Sequence, residues 1–197
     1  MDKKGRRYEV VFSGSGGQGI ILGAVVLAEA CGIHDGKYVC QTQSYGPESR
    51  GGFSRADVVI SDRPIDYPMA TEPDLLLAMN QTSCDRYHPE LKADGLLVVD
   101  ASLVSQIPAG RTVAIPFTEI AREQFGTEMV ANMVSLGAVV QLTRLVSPSK
   151  LRAALTARAP QHTADLNRAA LNAGIRAAKK IDVACLENLG APEEEDV

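Results

Sequence analysis

The chain has 197 residues, 45% of them hydrophobic and 22% charged, a composition that is ordinary for a single globular domain. Four of its 24 acidic residues lie together at positions 193–196, and the other 20 balance the 20 Lys and Arg, so the body of the chain is neutral. A neutral body with only 5% aromatic residues argues against a nucleic-acid-binding surface, which needs basic charge and stacking side chains.

The hydrophobic pattern predicts no membrane span. The longest apolar run, residues 20–28, is too short to cross a bilayer. The basic start leads into a stretch that is interrupted by the glycines of residues 14–19, which does not suit the apolar core of a signal peptide. We therefore expect a cytoplasmic protein.

Strand-like and helix-like segments alternate along the chain, which is the pattern of an α/β domain. Strands are predicted at residues 8–13, 37–43, 53–61, 74–79, 95–100 and 111–117. Helices are predicted at 17–31 with Gly32 as C-cap, from the N-cap Asn80 to position 91, and at 129–145, 151–159 and 163–181. We expect a three-layer sandwich with a largely parallel central sheet and a helical C-terminal portion. It forms a single domain over residues 1–187, followed by an acidic, disordered tail at 188–197.

The cysteines and histidines are dispersed along the chain. They include no Cys-x-x-Cys pair and stand at positions Cys31, Cys40, Cys84, Cys185, His34, His88 and His162. Iron–sulfur clusters and structural zinc need closely spaced ligands. The sequence therefore predicts no metal site and no catalytic nucleophile–base pair in this chain, and it predicts thiols that serve as small hydrophobic residues.

A glycine-rich turn joins the first predicted strand to the first predicted helix. It reads Gly14-Ser15-Gly16-Gly17-Gln18-Gly19 and contains the spacing Gly-x-Gly-x-x-Gly. Glycines let such a turn bend sharply and approach a ligand, while free N–H groups at the helix start face an anion. The turn predicts a site for phosphate or another chain's loop; the alternative is a tight turn whose glycines serve packing alone.

The turn lacks sequence features that are typical of two common kinds of nucleotide-binding site. Nicotinamide-binding domains usually place an Asp or Glu at the end of the second strand to hold the ribose, and residues 39–44 contain none. A P-loop would end in Lys followed by Ser or Thr, where this chain has Gln18-Gly19-Ile20. A conventional NAD site is therefore disfavoured.

A second distinctive loop follows the second predicted strand. It reads Ser44-Tyr45-Gly46-Pro47-Glu48-Ser49-Arg50-Gly51-Gly52. Its Gly and Pro residues shape the backbone, and Arg50 offers a fork of donors to phosphate or carboxylate. If the sheet is parallel, this loop lies beside the glycine turn, where ligands of open α/β sheets bind. The alternative is a structural loop in which Glu48 and Arg50 form a surface ion pair.

Together these two loops resemble the gamma subunit, or gamma domain, of the 2-oxoacid:ferredoxin oxidoreductases. The resemblance covers about residues 8–180 and continues through Val58-Val59-Ile60-Ser61-Asp62, Ile65-Asp66-Tyr67-Pro68, Pro73-Asp74-Leu75-Leu76-Leu77-Ala78-Met79-Asn80, Gly95-Leu96-Leu97-Val98-Val99-Asp100 and Asn132-Met133-Val134-Ser135-Leu136-Gly137-Ala138. The form Ser44-Tyr45-Gly46-Pro47-Glu48 is most similar to the 2-oxoglutarate enzymes. Pyruvate, branched-chain 2-oxoacid and indolepyruvate enzymes share much of the pattern.

The resemblance implies that the chain is one subunit of an oxidoreductase. Such enzymes interconvert a 2-oxoacid, coenzyme A (CoA) and oxidised ferredoxin with an acyl-CoA, carbon dioxide and reduced ferredoxin. It implies that thiamine diphosphate, Mg2+ and a [4Fe–4S] cluster belong to alpha and beta subunits, with or without a ferredoxin-like delta subunit. This chain would bind none of these cofactors alone, and no nucleic acid or membrane is implied as a partner.

We hypothesise that the two loops form or gate the CoA site. Backbone N–H groups of the turn and the side chain of Arg50 would contact CoA, with Arg55 as a weaker candidate. Tyr45 would pack on the adenine or on a neighbouring subunit, and Glu48 would orient Arg50. The predicted binding residues are Gly14, Ser15, Gly16, Gly17, Gln18, Gly19, Ser44, Tyr45, Gly46, Pro47, Glu48, Arg50 and Gly51.

Two other functions remain open. In a purely structural assembly subunit, the glycine loops and the apolar helix 129–145 would dock on the alpha and beta subunits. The buried amide of Asn132 would then find its partner either inside this domain or across the interface. The other function is a free-standing NAD(P)-dependent oxidoreductase, which the missing acid of the second strand disfavours.

Overall fold

A six-stranded mixed sheet forms the centre of the computed structural model, which describes residues 7–45, 53–158 and 162–186. Its strands are β1 (Arg7–Ser15), β2 (Tyr38–Tyr45), β3 (Phe53–Ser61), β4 (Leu75–Ala78), β5 (Leu96–Asp100) and β6 (Thr112–Ile115). They are ordered β2-β3-β1-β4-β5-β6, with β1, β4, β5 and β6 parallel and β3 antiparallel to both of its neighbours. Among the described strands only β3 runs against the rest, so β1, β2, β4, β5 and β6 all end at one edge of the sheet, called here the carboxyl edge.

Six α-helices connect and cover the described strands. They are α1 (Ile20–Gly32), α2 (Gln81–Tyr87), α3 (Phe117–Phe125), α4 (Ala131–Thr143), α5 (Pro148–Arg158) and α6 (Ala164–Ala178). Short 3-10 helices lie at His88–Glu90, Glu128–Val130 and Val183–Cys185. None of these helices has both the length and the apolar character that a membrane crossing requires.

The two faces of the sheet are covered unequally. On one face α1, α3, α4, α5 and α6 enclose a large apolar core around Phe12, Leu27 and Met133. On the other face α2 and adjoining loops cover a smaller core around Val11, Leu76 and Tyr87. Because β4 and β5 are buried along their whole lengths, their continuous Leu/Val sequence is explained by cover on both faces. The predicted α/β fold with a largely parallel sheet is confirmed.

Helix α4 lies at the centre of the larger core, and its first ten residues are all buried. It crosses α6 at two glycines that face the opposite backbone. A Cβ on Gly137 would lie 2.1 Å from the carbonyl oxygen of Leu171, and one on Gly174 would lie 1.8 Å from that of Val134. Packing inside this chain therefore accounts for the apolar sequence of residues 129–145, and contact with another subunit is not needed to explain it.

Two local predictions were wrong. Gly32 is not the C-cap of α1, because the helix includes it and Ile33 continues the pattern by donating to the carbonyl of Glu29. The left-handed glycine of this turn is Gly36, with φ of 72°. Helix α3 was not predicted, and Phe117, expected in the last strand, is its first residue. The predicted tail at 188–197 lies outside the described residues.

Candidate functional site

The glycine turn lies at the carboxyl edge, between the last residue of β1 and the first residue of α1. Gly19 is the N-cap of α1 and has φ of 70°, in the left-handed region. The first turn of α1 carries no acidic residue, so no carboxylate of its own offsets the positive end of the helix dipole. The turn predicted from sequence is therefore confirmed in position, between a strand and a helix start.

The side chain of Gln18 braces the turn from inside. Its Oε1 accepts a hydrogen bond from the backbone N–H of Ser15 at 2.6 Å, and its Nε2 donates to the carbonyl of Met79 at 3.3 Å. The backbone N–H of Gln18 donates to the carbonyl of Ser15 at 3.1 Å. Gln18 therefore positions the turn, and its side chain is already engaged with protein groups.

The other glycines of the turn differ in what surrounds them. Gly14 is enclosed, since a Cβ there would meet Oε1 of Gln18 at 2.5 Å. Gly16 and Gly17 are exposed, and a Cβ on Gly17 would have nothing within 4 Å, although its φ of 93° favours glycine. Within the described part of the chain, the backbone N–H groups of Gly16, Gly17 and Gly19 have no protein acceptor. These donors at a helix start are the chemical basis for binding an anion.

Two asparagines distant in sequence fix the turn in place. Asn80 is the N-cap of α2, accepting from the N–H of Ser83, and its Nδ2 donates to Oγ of Ser15 at 2.7 Å. Asn132 at the start of α4 donates from Nδ2 to the carbonyl of Gly19 at 3.1 Å. The amide of Asn132 therefore has its partner inside this domain. The N-cap role of Asn80 could be predicted from sequence, whereas neither contact with the turn leaves a local sequence signal.

The hairpin formed by β2 and β3 brings the second loop to the same edge. In the register of the sheet, Ser15 lies opposite Phe53, and Ser54 lies between Gly14 and Tyr45. The hydroxyl of Ser54 also donates to the carbonyl of Gly14 at 3.4 Å. The strands that flank the loop 46–52 therefore meet the edge that carries the glycine turn, with Phe53 beside Ser15 and Tyr45 one strand farther away.

Most of the predicted loop residues cannot be placed. Ser44 is exposed at the end of β2, and Tyr45 is the last residue of that strand. Five predicted binding residues lie outside the described residues: Gly46, Pro47, Glu48, Arg50 and Gly51. Their contact with a ligand therefore remains a prediction.

Arg86 is a candidate that the sequence reasoning missed. It is an exposed residue of α2, and its guanidinium carbon lies 4.1 Å from the centre of the Phe53 ring. Because Phe53 begins β3 and lies opposite Ser15 in the sheet, this cation stands at the base of the second loop. Stacking on an aromatic ring restrains the guanidinium while leaving its N–H donors available.

Arg55, by contrast, has its hydrogen-bond partners within the chain. Its guanidinium contacts Asp57 at 2.7 Å and Glu90 at 2.5 Å, donates to the carbonyl of Ala70 and lies over the ring of Tyr87. Burial lowers the pKa of Arg55, but the hydrogen bonds that it donates to the carboxylates of Asp57 and Glu90 outweigh this and raise it overall. The weaker CoA candidate of the sequence analysis therefore has a structural role.

The Cys, His and Asp residues that the structure describes show no arrangement typical of a catalytic group. Burial raises the pKa of the Cys31 thiol to about 12 and that of Cys84 to about 11. Among the described residues, no cluster of three or more His, Cys, Asp or Glu is arranged to hold a metal ion. Asp100 is fully buried, where its carboxylate accepts from both the N–H and the hydroxyl of Thr118 and so caps α3.

Four cavities lined by described residues lie away from the glycine turn. The largest, of about 510 Å³, is lined by Thr71, Glu72 and residues 89–94, and none of the four includes a residue of the glycine turn. A nucleotide-sized ligand is normally enclosed over most of its surface. The described part of the carboxyl edge therefore offers donors for an anion.

Residues 9–177 match the family model described as pyruvate ferredoxin/flavodoxin oxidoreductase. The 2-oxoglutarate synthase subunit KorC of Methanocaldococcus jannaschii is 43% identical over 89% of this chain and 96% of its own length. The ketoisovalerate oxidoreductase subunit VorA of Methanothermobacter thermautotrophicus is 37% identical over 68% of this chain but only 28% of its own length. The crystal structure of a keto/oxoacid ferredoxin oxidoreductase gamma subunit from Geobacter sulfurreducens superposes with a TM-score of 0.81 and 46% identity, covering 88% of this chain and 97% of that one.

Proposed function

This chain belongs to the pyruvate ferredoxin/flavodoxin oxidoreductase family, and we propose that it is the gamma subunit of a 2-oxoglutarate:ferredoxin oxidoreductase. The observation that carries this proposal is the match to a 2-oxoglutarate synthase subunit over nearly the full length of both chains. The ketoisovalerate relative is less similar and matches over a smaller part of this chain. Alpha and beta subunits would supply thiamine diphosphate, Mg2+ and the [4Fe–4S] cluster, and ferredoxin would accept the electrons.

Within that complex, the carboxyl edge of this chain would hold the phosphates of CoA. The open N–H groups of Gly16, Gly17 and Gly19 supply donors, and the first turn of α1 carries no competing carboxylate. Arg86 supports the proposal because its guanidinium is held over the ring of Phe53, at the same edge of the sheet. Arg50 of the adjoining loop would add a second cation. The adjoining loop 46–52 and a neighbouring subunit would complete the enclosure of the ligand.

The Michaelis constant for CoA in the purified complex tests this role. The variant Arg86→Ala is expected to raise the KM for CoA about tenfold, the effect of losing a charge-assisted hydrogen bond of about 1.5 kcal/mol. The value of kcat at saturating CoA should change little, because Arg86 would bind the nucleotide part and not the reacting thiol.

A matched control is Arg63→Ala, which removes an exposed arginine just after the end of β3, at the opposite edge of the sheet. It should leave the KM for CoA unchanged. The companion variant Arg50→Ala should behave like Arg86→Ala. If both Arg86→Ala and Arg50→Ala left the KM for CoA and the subunit composition unchanged, the CoA role of this edge would be wrong.

The engagement of the Gln18 side chain within the chain favours the alternative of a purely structural assembly subunit. A subunit that only joins others needs no ligand pocket, and its glycine turn would meet a loop of a neighbour. In that case Arg86→Ala would weaken the association of the subunits more than it altered the KM for CoA. Subunit composition by gel filtration, measured beside the KM, separates the two functions.

A further inference from the structure

Charge is unevenly distributed along this chain. Residues 144–180, which contain α5 and α6, carry eight Lys and Arg and a single acidic residue, Asp165. The rest of the chain has the other 12 Lys and Arg against 23 Asp and Glu. Although positive and negative charges balance over the chain body, residues 144–180 have a net positive charge and the remainder has a net negative charge.

The basic residues of α6 lie along one face of that helix. Its buried face, which includes Asn167, Leu171 and Gly174, packs toward the core. The outward residues follow one another at helical spacing of three or four: Asp165, Arg168, Asn172, Arg176, and then Lys179 and Lys180 just after the helix end. Arg152 of α5 donates to Oδ1 of Asn172 at 3.3 Å and so reaches the middle of this series. We call Arg152, Arg168, Arg176, Lys179 and Lys180 the basic stripe, and its members from Arg168 to Lys180 extend over about 18 Å.

Few carboxylates balance the basic stripe. Arg168 pairs with Asp165 at 2.8 Å, and both side chains are more than half exposed, so this contact is weak. In the parts of the chain that the structure describes, Arg152, Arg176, Lys179 and Lys180 have no carboxylate partner. The stripe therefore presents unbalanced positive charge to its surroundings.

Helix electrostatics explains only part of this arrangement. Cations near a helix C-terminus interact favourably with the helix dipole, which accounts for Arg176, Lys179 and Lys180. Arg168 lies in the second turn of α6 and Arg152 in the interior of α5, so neither is near a helix C-terminus that would favour a cation. A further cause is needed for the continuous stripe.

We propose that the basic stripe docks a carboxylate-rich surface of another subunit of the oxidoreductase. A surface that complements this positive charge is acidic, and the pairing of individual charges would fix how the two subunits are aligned. A nucleic acid is disfavoured, because residues 144–180 contain no Phe, Tyr or Trp and the remainder of the chain is strongly acidic. The inference rests on the proposed function, in which this chain is held in a complex.

The test compares two variants that each remove three positive charges. The stripe variant is Arg168→Gln/Arg176→Gln/Lys180→Gln, whose positions are all exposed. The control is Lys4→Gln/Arg63→Gln/Arg122→Gln, which removes charges elsewhere. Partner subunits are captured on the tagged chain while salt is raised from about 50 mM to about 500 mM. A thermal melt of each variant establishes that it is folded.

The stripe variant is expected to bind its partner subunits at least about tenfold more weakly at low salt and to lose the salt dependence seen with the wild-type chain. The control should match the wild type. Equal affinity and equal salt dependence for both variants would overturn the proposal. So would unchanged assembly with a raised KM for ferredoxin, which would assign the stripe to the electron carrier instead.

Failure of this inference is separable from failure of the proposed function. The wild-type complex is assayed in parallel for CoA-dependent oxidation of 2-oxoglutarate with a viologen dye. Activity with no effect of the stripe variant overturns the docking surface alone. Absence of that activity in an assembled wild-type complex overturns the proposed function, while the capture data still decide whether the stripe docks a subunit.

Discussion

Gly17 and Gly19 occupy the same turn but differ in what an added methyl group would meet. Alanine at position 17 would meet open space and would suffer only from its φ of 93°, a cost of about 1 kcal/mol. Alanine at position 19 would place its Cβ 2.2 Å from Nδ2 of Asn132, in addition to a φ of 70°. The first substitution therefore alters the exposed surface of the turn, whereas the second alters the attachment of the turn to α4.

We expect Gly17→Ala to lower the stability of the chain by about 1 kcal/mol and Gly19→Ala by about 3 kcal/mol. Urea unfolding of the isolated chain measures both. In the complex, Gly17→Ala should still raise the KM for CoA, because its methyl group stands where the phosphates would approach the N–H groups. Equal stabilities of the two variants would show that the contact between Gly19 and Asn132 does not hold the turn.

The buried thiol of Cys31 predicts a loss of stability in alkali. Burial raises its pKa from 9.0 to about 12, so the folded chain keeps a proton that the unfolded chain releases above pH 9. Below pH 9 the thiol is protonated in both states and adds no pH dependence. From pH 9 toward pH 12 stability falls as pH rises, by up to about 1.4 kcal/mol per pH unit from this group.

Comparing wild type with Cys31→Ala isolates that contribution from other groups that titrate in alkali. The difference in free energy of unfolding between the two proteins should be constant below pH 9 and should shrink above it. A difference that stayed constant up to pH 11 would contradict the protonated, buried thiol.

Residues whose contacts lie close by in the sequence could be predicted, whereas residues with distant partners could not. The glycine turn and the N-cap of Asn80 are short-range features, and both are present. The bracing side chain of Gln18 was predicted to touch a ligand, but its amide is engaged by Ser15 and Met79. Arg86 and Asn132 were not found as site residues, because the sheet and α4 bring them to the turn from far along the chain.

Helices α4 and α6 are held together by the close contact of their backbones at Gly137 and Gly174. Adding a methyl group at Gly174 would force the two helices apart, since its Cβ would lie 1.8 Å from a carbonyl oxygen of α4. We expect Gly174→Ala to destabilise the chain by about 3 kcal/mol, although alanine is the better helix former. Urea unfolding of the isolated chain measures the change.

The control is Ala169→Leu, which adds three carbons on the exposed side of the same helix. Because that position is exposed, its effect should stay within about 0.5 kcal/mol. An unchanged stability for Gly174→Ala would mean that α4 and α6 are not packed as closely as described.

The elements were predictable wherever the hydrophobic pattern was long or the capping residue was local. Strand β3 has the predicted bounds, and α4, α5 and α6 lie within or close to the predicted helical segments. Helix α3 was missed, although Phe117, Ala121 and Phe125 show helical spacing, because the apolar run before it reads as a strand. Its start depends on the buried carboxylate of Asp100, which lies 18 residues away from Thr118.

At the scale of the whole molecule, the strand order explains why a dinucleotide fingerprint does not make a nicotinamide site. In dinucleotide-binding folds the second strand lies beside the first and carries the acid that holds the ribose. Here the antiparallel β3 lies between β1 and β2, so the end of β2 is one strand away from the turn. The free-standing NAD(P)-dependent enzyme is therefore disfavoured by topology as well as by the absence of the acid.

The substrate preference of the complex tests the central claim most directly. The tagged chain is purified from its native host without oxygen, and CoA-dependent reduction of a viologen dye is followed with 2-oxoglutarate, pyruvate and 3-methyl-2-oxobutanoate. We predict co-purification of thiamine- and iron–sulfur-bearing subunits and a kcat/KM for 2-oxoglutarate at least about tenfold above the other two. A solitary chain that retains a nicotinamide nucleotide, or a complex that prefers pyruvate, would contradict it.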